Sequence, residues 1–279
     1  MAKGAYVGVN NFARKVTKIY CGVNNVARKV KKGYVGVGGV ARIFFSGEKK
    51  PEYYGTITPL SGGRWNLAAT TVGNYALFGG GSYSSGYLST VDSYNSNLTK
   101  GTQTSLSQRR ATLAATTVGN YALFGGGYTS SSYLSTVDSY NSNLTKGTPS
   151  PLSEGREDLA ATTVGNYALF GGGYSSRGHS STVDSYNSNL TKGTPSPLSM
   201  ARQDLAATTV GNYALFGGGL SNTYRDTVDS YDYNLIKGTQ TPLNNRREDL
   251  AATTVGNYAL FGGGYEQGTR DTVDAYTLV

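Results

Sequence analysis

The amino-acid sequence predicts an all-β protein built from repeated units, and three observations support this prediction. The chain of 279 residues contains 39 Gly and 23 Tyr, a composition that favours turn-rich β structure over helix. One stretch of 15 residues, which begins at Leu67, returns without substitution at Leu113, Leu159, Leu205 and Leu250. A shorter repeat with a period of 14 residues precedes it. Fixed periods of this kind indicate a repeat architecture.

The long repeat has the size and strand content of a propeller blade. Its copies start 46 or 45 residues apart. In the first copy, short apolar runs separated by turn residues predict four strands, at 67–72, 75–79, 90–94 and 101–106. Four-stranded units of this length are typical of β-propellers, in which the sheets, called blades, are arranged around an axis.

The two ends of the repeat region look like complementary parts of one unit. Residues 55–61 match the segment that ends later copies, such as 147–153, whereas the last copy stops before that segment. We therefore predict that residues 55–60 supply the fourth strand of the last blade. Residues 55–279 would then form a five-bladed propeller closed by this N-terminal strand.

Residues 1–47 contain three copies of the 14-residue repeat, which begin at Tyr6, Tyr20 and Tyr34. Each copy has Asn-Asn or Gly-Gly at its centre, and these pairs tolerate the positive φ angles of tight turns, so each is predicted to form a β-hairpin. Residues 1–50 hold 11 basic residues and one acidic residue, a net charge of +10, and the remainder of the chain has −2. We interpret 1–47 as a basic attachment or oligomerisation module and 48–54 as a linker.

The basic residues of this module have three interpretations. They form a solvated sheet edge that prevents strands of other molecules from pairing with it, or they form a docking face for an acidic protein. A nucleic-acid site is less favoured, because no stacking platform or known binding motif is present. Membrane insertion is not expected, because no apolar run approaches the roughly 20 residues of a spanning helix. The chain start lacks the apolar segment of a signal peptide. Cys21 is the only cysteine, so it forms no intrachain disulfide.

The long repeat contains Arg64, the Gly-Asn turn, the run 75–80 and the run 91–94 in its first copy. In these residues it resembles the kelch repeat of β-propellers, and the resemblance extends over residues 55–279. Kelch blades usually carry a Trp after the Tyr-containing strand, where this chain has Asn-Leu-Thr-Lys-Gly-Thr, a departure that favours a diverged bacterial or viral branch. The 14-residue units resemble short repeats in tail-associated proteins of bacteriophages and prophages of Gram-positive bacteria. This resemblance implies a virion or extracellular assembly, made in a bacterial cytoplasm without a signal peptide.

The kelch resemblance raises the question of an enzyme, because kelch-like propellers include copper oxidases similar to galactose oxidase. Such a copper site needs two imidazoles and a cysteine beside a tyrosine, whereas this chain has one histidine, His179, and Cys21 lies outside the long repeat. No Gly-x-Ser-x-Gly elbow is present. We therefore predict a protein without a cofactor, a metal or catalytic residues. A carbohydrate-active enzyme would need carboxylates specific to one place, and the candidates Glu154, Glu157 and Asp158 are interpreted as a solvated run.

An arginine and an aspartate recur once in every copy of the long repeat. A catalytic centre is usually asymmetric, so we interpret these residues as structural contacts, such as charge-assisted hydrogen bonds at blade junctions. The structural repeat residues are Arg64, Arg110, Arg156, Arg202, Arg247, Asp92, Asp138, Asp184, Asp229 and Asp274.

The copies differ mainly in two loops: the B–C loop, between the second and third strands, and the D–A loop, between the fourth strand and the next copy. In an antiparallel four-stranded sheet both loops emerge on one face. Their Tyr, Ser, Gly and Arg residues suit recognition, and Tyr and Trp rings stack on sugars, although drift of unpacked loops is an alternative explanation. The candidate ligand-binding residues are Trp65, Tyr83, Tyr87, Tyr128, Tyr133, Tyr174, Arg177, His179, Tyr224, Arg225, Tyr265 and Arg270.

The function predicted from these patterns is binding without catalysis. The loop face would recognise a cell-surface glycan or protein as part of a phage tail or related assembly, and residues 1–47 would contact other virion or assembly proteins, with homo-oligomerisation compatible with such a role. Two alternatives stay open: a purely architectural virion component with passive loops, and a carbohydrate-active enzyme on a propeller scaffold.

Overall fold

The computed structural model describes residues 53–278 in full and, before them, the backbone of six strands between Tyr6 and Ser46. The chain divides into two compact units, Met1–Thr56 and Ile57–Val279. Every helix or strand among the described residues is a β-strand, and no helix long and apolar enough to cross a membrane occurs in that part of the chain.

The first unit contains three antiparallel hairpins, one for each 14-residue repeat. They are β1 (Tyr6–Val9) with β2 (Phe12–Lys15), β3 (Tyr20–Val23) with β4 (Val26–Lys29), and β5 (Lys32–Val37) with β6 (Val40–Ser46). The side chains of this unit and most of the linker predicted at 48–54 lie outside the described residues, so the docking role of residues 1–47 stays a prediction.

The second unit contains five antiparallel sheets, numbered here in chain order. Sheet 1 consists of β7 (Ala68–Val72), β8 (Tyr75–Gly79), β11 (Val91–Asn95) and β12 (Lys100–Gln103), with a small hairpin of β9 (Ser82–Tyr83) and β10 (Gly86–Tyr87) in its B–C loop. Sheet 2 consists of β13 (Ala114–Val118), β14 (Tyr121–Gly125), β15 (Val137–Asn141) and β16 (Lys146–Gly147). Sheet 3 consists of β17 (Ala160–Val164), β18 (Tyr167–Gly171), β21 (Val183–Asn187) and β22 (Lys192–Gly193), with the hairpin β19 (Tyr174–Ser175) and β20 (Gly178–His179). Sheet 4 consists of β23 (Ala206–Val210), β24 (Tyr213–Gly217), β25 (Val228–Asp232) and β26 (Lys237–Thr239), and sheet 5 of β27 (Ala251–Val255), β28 (Tyr258–Gly262) and β29 (Val273–Thr277).

The first strand of each sheet lies innermost, next to the first strand of the neighbouring sheet. Threonine side chains join these inner strands: Thr70 Oγ1 and Thr117 Oγ1 are 2.8 Å apart, and Thr117 Oγ1 donates to the Thr71 carbonyl at 2.5 Å. Equivalent threonines join sheets 2 to 3, 3 to 4 and 4 to 5. The sheets are thereby arranged radially around an axis, which is the arrangement of a β-propeller.

The hydrophobic core lies between consecutive sheets. The cluster between sheets 1 and 2 combines one face of sheet 1 (Ala68, Val72, Leu77 and Val91) with one face of sheet 2 (Leu106, Leu113, Ala122, Phe124 and Tyr140). The fit is close, because a Cβ added to Gly79 would lie 2.8 Å from Phe124 Cε1. Three further clusters repeat this contact between sheets 2 and 3, 3 and 4, and 4 and 5.

Each D–A loop is fixed to the sheet that it enters by a buried ion pair. In sheet 3, Arg156 Nη2 lies 2.7 Å from Asp184 Oδ2, and neither side chain is exposed to solvent. The Asp184 carboxylate also accepts hydrogen bonds from the backbone N–H and hydroxyl of Ser153, and Lys192 Nζ lies 3.2 Å from it. All ten residues predicted to be structural contacts lie in five such pairs, one in each sheet.

The electrostatics of these pairs are visible at Asp92 in sheet 1. Burial alone would raise its pKa, but hydrogen bonds from Ser61 and Lys100 and the charge of Arg64 outweigh burial and lower the pKa below its usual value. The carboxylate is therefore held in its ionised form, as a buried partner of an arginine requires.

The prediction that residues 55–60 form the fourth strand of the last sheet is wrong in this structure. These residues form no strand, and sheet 5 consists of β27, β28 and β29. The segment is instead attached to sheet 1, because Tyr94 Oη donates to the Thr58 carbonyl at 2.7 Å and the Ser61 N–H donates to Asp92 at 3.1 Å. Tyr140 makes the equivalent bond to Thr104 at 2.5 Å, so Thr58 and Ser61 belong to a D–A loop.

The fourth strand of sheet 1 is also shorter than predicted. It spans Lys100–Gln103 and not 101–106. The chain leaves the sheet at Thr104, because the carbonyl of Thr104 accepts the Tyr140 hydroxyl and Leu106 packs in the cluster shared with sheet 2.

Replacement of Asp184 tests the contribution of the buried pair. We expect Asp184→Asn to lower the free energy of unfolding by about 3 kcal/mol, because the buried Arg156 would keep only Glu154, with Oε1 3.8 Å from its Nη1, as a counter-ion. Urea unfolding followed by circular dichroism measures the change. The matched control is Asp226→Asn, which removes an exposed ion pair with Arg246 and should cost less than about 1 kcal/mol. If Asp184→Asn and Asp226→Asn lowered the free energy of unfolding equally, the buried pair would have no special structural role.

Candidate ligand-binding face

The two variable loops of every sheet meet on one face of the second unit, which we call the loop face. In sheet 1 the backbone N–H groups of Trp65 and Ser82 donate to each other's carbonyls at 2.9 and 2.8 Å, and this joins the D–A loop to the B–C loop. The same bridge occurs in the other four sheets. The invariant A–B turns contact C–D turns instead, as a Cβ added to Gly119 would lie 3.1 Å from Ser188 Cβ.

A cleft of about 360 Å³ opens on the loop face over sheets 1 and 2. Trp65 and Tyr83 are 52% and 38% exposed, so their rings are available to a ligand. The lining residues are Trp65, Asn66, Ser82, Tyr83, Ser84, Gly86, Tyr87, Ala111, Thr112, Tyr128 and Glu157. The cleft therefore combines four aromatic rings with hydroxyl, amide and carboxylate groups.

A second groove shares two lining residues with the cleft. This groove of about 550 Å³ is lined by Ser85, Gly86, Tyr87, Gln108, Arg109, Thr129 and Ser130. Because Gly86 and Tyr87 line both spaces, a ligand longer than the cleft could extend past the Tyr87 ring towards Arg109. At the inner end of the cleft, Thr112 Oγ1 donates to Glu157 Oε2 at 2.8 Å, which holds that carboxylate in place.

Aromatic rings form a row along the loop face from sheet 1 to sheet 3. The ring centroids of Tyr87 and Tyr128 are 6.2 Å apart, those of Tyr128 and Tyr133 5.1 Å, and those of Tyr133 and Tyr174 5.8 Å. His179 continues the row 5.2 Å beyond Tyr174. These distances are typical of edge-to-face and tilted aromatic contacts, which hold each ring in a defined orientation.

The remaining predicted residues are less concentrated. Tyr224 and Tyr265 form a separate pair over sheets 4 and 5, with centroids 6.1 Å apart. Arg270 Nη2 is 2.6 Å from Glu266 Oε2 within its own loop, Arg225 is partly buried, and Arg177 is exposed. The structure thus brings Trp65, Tyr83, Tyr87 and Tyr128 together in one cleft. Tyr133, Tyr174 and His179 follow Tyr128 in the aromatic row, whereas the residues of sheets 4 and 5 lie apart. Whether any of them binds a ligand stays a prediction.

Three carboxylates converge near the axis, a feature that the sequence analysis missed. Asp158, Asp204 and Asp249 line a cavity of about 290 Å³ together with Asn66 and Thr112 of the first two sheets. A ladder of backbone bonds joins the five positions: the N–H groups of Thr112, Asp158, Asp204 and Asp249 each donate to the carbonyl of the preceding position at 3.0–3.1 Å.

The interpretation of Glu154, Glu157 and Asp158 as one solvated run is therefore wrong. Asp158 is partly buried near the axis, Glu157 lines the cleft, and Glu154 accepts hydrogen bonds from Ser180 and Thr182. Burial, then the charges of Asp204, Glu157 and Asp249, raise the pKa of Asp158 to about 7. Burial is also the main cause of the raised pKa of Asp204. The sequence does contain a signal for this group: in copies 3, 4 and 5 an Asp follows two residues after the arginine that recurs in every copy.

The loop face offers aromatic rings and hydrogen-bonding groups to a ligand. Within residues 53–278, no group of three or more His, Cys, Asp or Glu side chains is arranged to hold a metal ion. Aromatic rings offer apolar, weakly polarised faces, and the surrounding hydroxyl and amide groups offer hydrogen bonds in several directions.

Comparison with known proteins supports the fold. No family model matches the sequence, and no curated protein matches it either. Among solved structures, the chain is similar to YjhT, a kelch-like β-propeller protein, with a TM-score of 0.68 over 94% of each chain at 13% sequence identity. At this identity the likeness shows the fold alone, and the fold is that of a β-propeller.

Replacement of Asp158 tests the axial electrostatics. A carboxyl group whose pKa is about 7 in the folded state, against 3.8 otherwise, stabilises the fold when protonated, and this stability is lost as the pH rises from about 4 to 7. We expect Asp158→Asn to raise the free energy of unfolding at pH 8, relative to its effect at pH 4, by roughly 1–2 kcal/mol. This value is smaller than the pKa shift multiplied by about 1.4 kcal/mol per pKa unit, because water reaches the Asp158 carboxyl group and weakens its electrostatic interactions.

The measurement is thermal unfolding at pH 4 and pH 8. Asn66 occupies the equivalent left-handed position, with φ of 53° against 51° at Asp158, so asparagine fits this backbone. Asp271→Asn, at an exposed position, is the control and should show no such difference between the two pH values. If Asp158→Asn raised the free energy of unfolding equally at pH 4 and pH 8, ionisation of Asp158 would not destabilise the fold.

Proposed function

We propose that residues 57–278 form a five-bladed, kelch-like binding module whose loop face recognises a glycan or protein on a cell surface. The observation that carries the proposal is the cleft that holds Trp65, Tyr83, Tyr87 and Tyr128 on the face where the repeats differ. The first two strands of every sheet have the same sequence and form the scaffold. The residues that differ between copies concentrate in the loops, where a ligand could reach them.

The composition of the cleft favours a sugar. Its volume of about 360 Å³ lies in the range of roughly 300–1,000 Å³ that small-ligand sites occupy. Exposed Trp and Tyr rings stack on the apolar faces of sugar rings, and the hydroxyl groups of Ser82 and Ser84 and the amide of Asn66 bond sugar hydroxyls. A surface of this kind gives contact area at low conformational entropy cost, because an aromatic side chain has only two χ angles.

The aromatic row favours an extended ligand over a compact one. Four centroid steps of 5.1–6.2 Å lead along the row from Tyr87 to His179, and a second groove shares Gly86 and Tyr87 with the cleft. A linear oligosaccharide or an extended peptide can contact several of these rings at once, and each additional contact slows its release.

The biological setting that we propose is a phage tail or related extracellular assembly. The support is the resemblance of the 14-residue repeats to those of tail-associated proteins, and the concentration of a +10 charge in residues 1–50, before the long repeats begin in the sequence. In this arrangement residues 1–47 bind other proteins of the assembly and the second unit meets the host surface.

A carbohydrate-active enzyme is the second candidate, and the axial carboxylates favour it. Asp158 has a pKa of about 7, as a general acid requires near neutral pH, and Asn66 and Thr112 line both the axial cavity and the cleft. Release of reducing ends from a bound polysaccharide by the wild type, and its loss in Asp158→Asn, would favour this candidate over binding alone.

Truncation of the cleft aromatics tests the proposed function. We expect Trp65→Ala and Tyr83→Ala each to weaken binding to glycans on a microarray of bacterial surface polysaccharides by about tenfold, because each removes a stacking surface worth about 1.4 kcal/mol. The double variant should reduce adsorption of the protein to whole bacterial cells by a larger factor.

The matched control is Tyr213→Ala. Tyr213 is 40% exposed, close to the 38% of Tyr83, but it lies beside an A–B turn on the opposite side of the sheets. If Tyr213→Ala weakens binding as much as Tyr83→Ala, or if the cleft variants bind as the wild type does, the loop face is not the site.

A further inference from the structure

The cleft on the loop face contains one charged side chain, the carboxylate of Glu157. In the part of the chain that the structure describes, its other lining residues are aromatic, hydroxyl, amide or small residues, and none is a lysine, an arginine or a histidine. Trp65 and Tyr83 are exposed, and Tyr87 and Tyr128 are half-buried. Aromatic rings carry negative partial charge on their faces, so rings and a carboxylate in one space attract a cation.

Glu157 reaches the cleft from the D–A loop that enters sheet 3. Its backbone N–H donates to the Tyr174 carbonyl at 2.9 Å, and its carbonyl accepts the Tyr174 N–H at 2.8 Å, so two hydrogen bonds hold the backbone. The side chain extends towards sheet 2, where Glu157 Oε2 accepts the hydroxyl of Thr112 at 2.8 Å. Its other oxygen, Oε1, accepts no hydrogen bond from the residues that the structure describes. One oxygen thus fixes the carboxylate and the other is left for a ligand.

The charge of Glu157 has no counter-ion among the described residues, because no lysine, arginine or histidine nitrogen of that part of the chain lies within 4.0 Å of its carboxylate. The carboxylate of Glu266 on the same face differs, since Arg270 Nη2 lies 2.6 Å from its Oε2. The effect of the uncompensated charge reaches the axis: after burial and the charge of Asp204, the charge of Glu157 raises the pKa of Asp158. A cation bound in the cleft would neutralise this charge.

The shape of the cleft follows from three residues at one position of the repeat. Trp65, Ala111 and Glu157 are the D–A loop residues that form the backbone bridge to the B–C loop in sheets 1, 2 and 3. Gln203 and Glu248 take this position in sheets 4 and 5. Because sheet 2 has only the methyl group of Ala111 here, it leaves room for a ligand that contacts both the Trp65 ring and the Glu157 carboxylate, and all three residues line the cleft.

We propose that the cleft binds the protonated amino group of a sugar, so that the glycan it prefers contains hexosamine units whose nitrogen is not acetylated. The ammonium group would donate hydrogen bonds to Glu157 and lie against the aromatic rings, and the sugar ring would stack on Trp65. An acetylated nitrogen carries no charge and makes neither electrostatic contact. This inference rests on the proposed function, because it names the chemistry of the glycan that the loop face would bind.

A lysine side chain of a protein also carries an ammonium group, but the cleft favours an amino sugar. Its lining includes the hydroxyl groups of Ser82 and Ser84 and the amide of Asn66, which can bond the hydroxyl groups of a sugar. The stem of a lysine is a flexible chain of methylene groups and offers these polar groups no partner. An amino sugar therefore satisfies the aromatic, charged and neutral polar groups of the cleft together.

Calorimetric titration of the full chain with two tetrasaccharides tests the proposal. One is a linear tetramer of glucosamine, and the other is the same tetramer with every nitrogen acetylated. In a mildly acidic buffer, in which the sugar amines are protonated, we expect the wild type to bind the glucosamine tetramer about tenfold more tightly than the acetylated one. Added salt should reduce this difference, because it screens the attraction between accessible charges.

Glu157→Gln removes the charge and keeps an oxygen that can accept the Thr112 hydroxyl. We expect it to weaken binding of the glucosamine tetramer about tenfold and to leave binding of the acetylated tetramer unchanged. Trp65→Ala should weaken binding of both, because both stack on this ring. The matched control is Glu266→Gln, which changes a carboxylate that Arg270 already neutralises and should bind both tetramers as the wild type does. If Glu157→Gln unfolds by circular dichroism, the comparison of the two tetramers on the wild type decides.

Three results would overturn the proposal. Equal affinity of the wild type for the two tetramers would mean that the loop face binds glycans without recognising a cation, so the proposed function would stand alone. Binding of a lysine tetrapeptide that Glu157→Gln abolishes, without binding of the glucosamine tetramer, would assign the cleft to a protein ligand. Binding of neither tetramer would also reject the amino sugar, and the proposed function would fall with it only if no glycan of the microarray binds.

Discussion

A buried arginine–aspartate pair holds the chain at each passage from one sheet to the next, and the rest of the second unit depends on it. An unpaired charge in this environment would cost several kcal/mol, so the D–A loop is stable only when it is docked. The three residues after each arginine then have fixed positions. After Arg156, Glu157 pairs with the B–C loop, Asp158 turns to the axis, and Leu159 enters the core. One ion pair thereby sets the loop face, the axial cavity and the packing between sheets.

The scaffold and the candidate site are separated along the sequence of each repeat. Residues of the identical 15-residue stretch build the two inner strands and most of the contact between sheets, and its final glycines hold the backbone at positive φ where the B–C loop begins. The loop that follows is held mainly by backbone hydrogen bonds, both in its bridge to the D–A loop of its own sheet and from the next D–A loop, where the Arg110 N–H donates to the Leu88 carbonyl at 3.0 Å. It can therefore vary in sequence while its tyrosines stay at a defined position above the sheet, as the row from Tyr87 to Tyr174 shows.

Local pattern was enough to predict most of this architecture. The repeats predicted the sheets, and the Gly-Asn pairs predicted the A–B turns. The antiparallel order of the four strands predicted that both variable loops lie on one face. One prediction failed, and one feature was missed, because each depends on residues that lie far apart in the sequence. The pairing of residues 55–60 with sheet 5 depends on whether the ends of a long array meet, which no local pattern determines, and Thr58 and Ser61 instead bond to sheet 1. The axial group of Asp158, Asp204 and Asp249 combines residues about 46 positions apart, each with a left-handed backbone that the sequence does not reveal.

The identity of the four internal junctions also affects how such a chain can change over generations. Because a phenylalanine of any copy fits the glycine of any other, duplication or deletion of one whole repeat creates no mismatched contact between sheets. Recombination between the segments that encode the identical 15-residue stretches can then exchange loops, or alter their number, while the contacts between consecutive sheets keep their packing. The glycine–phenylalanine contact thus makes the loop face a surface that can be reshuffled as intact modules, without compensating mutations elsewhere.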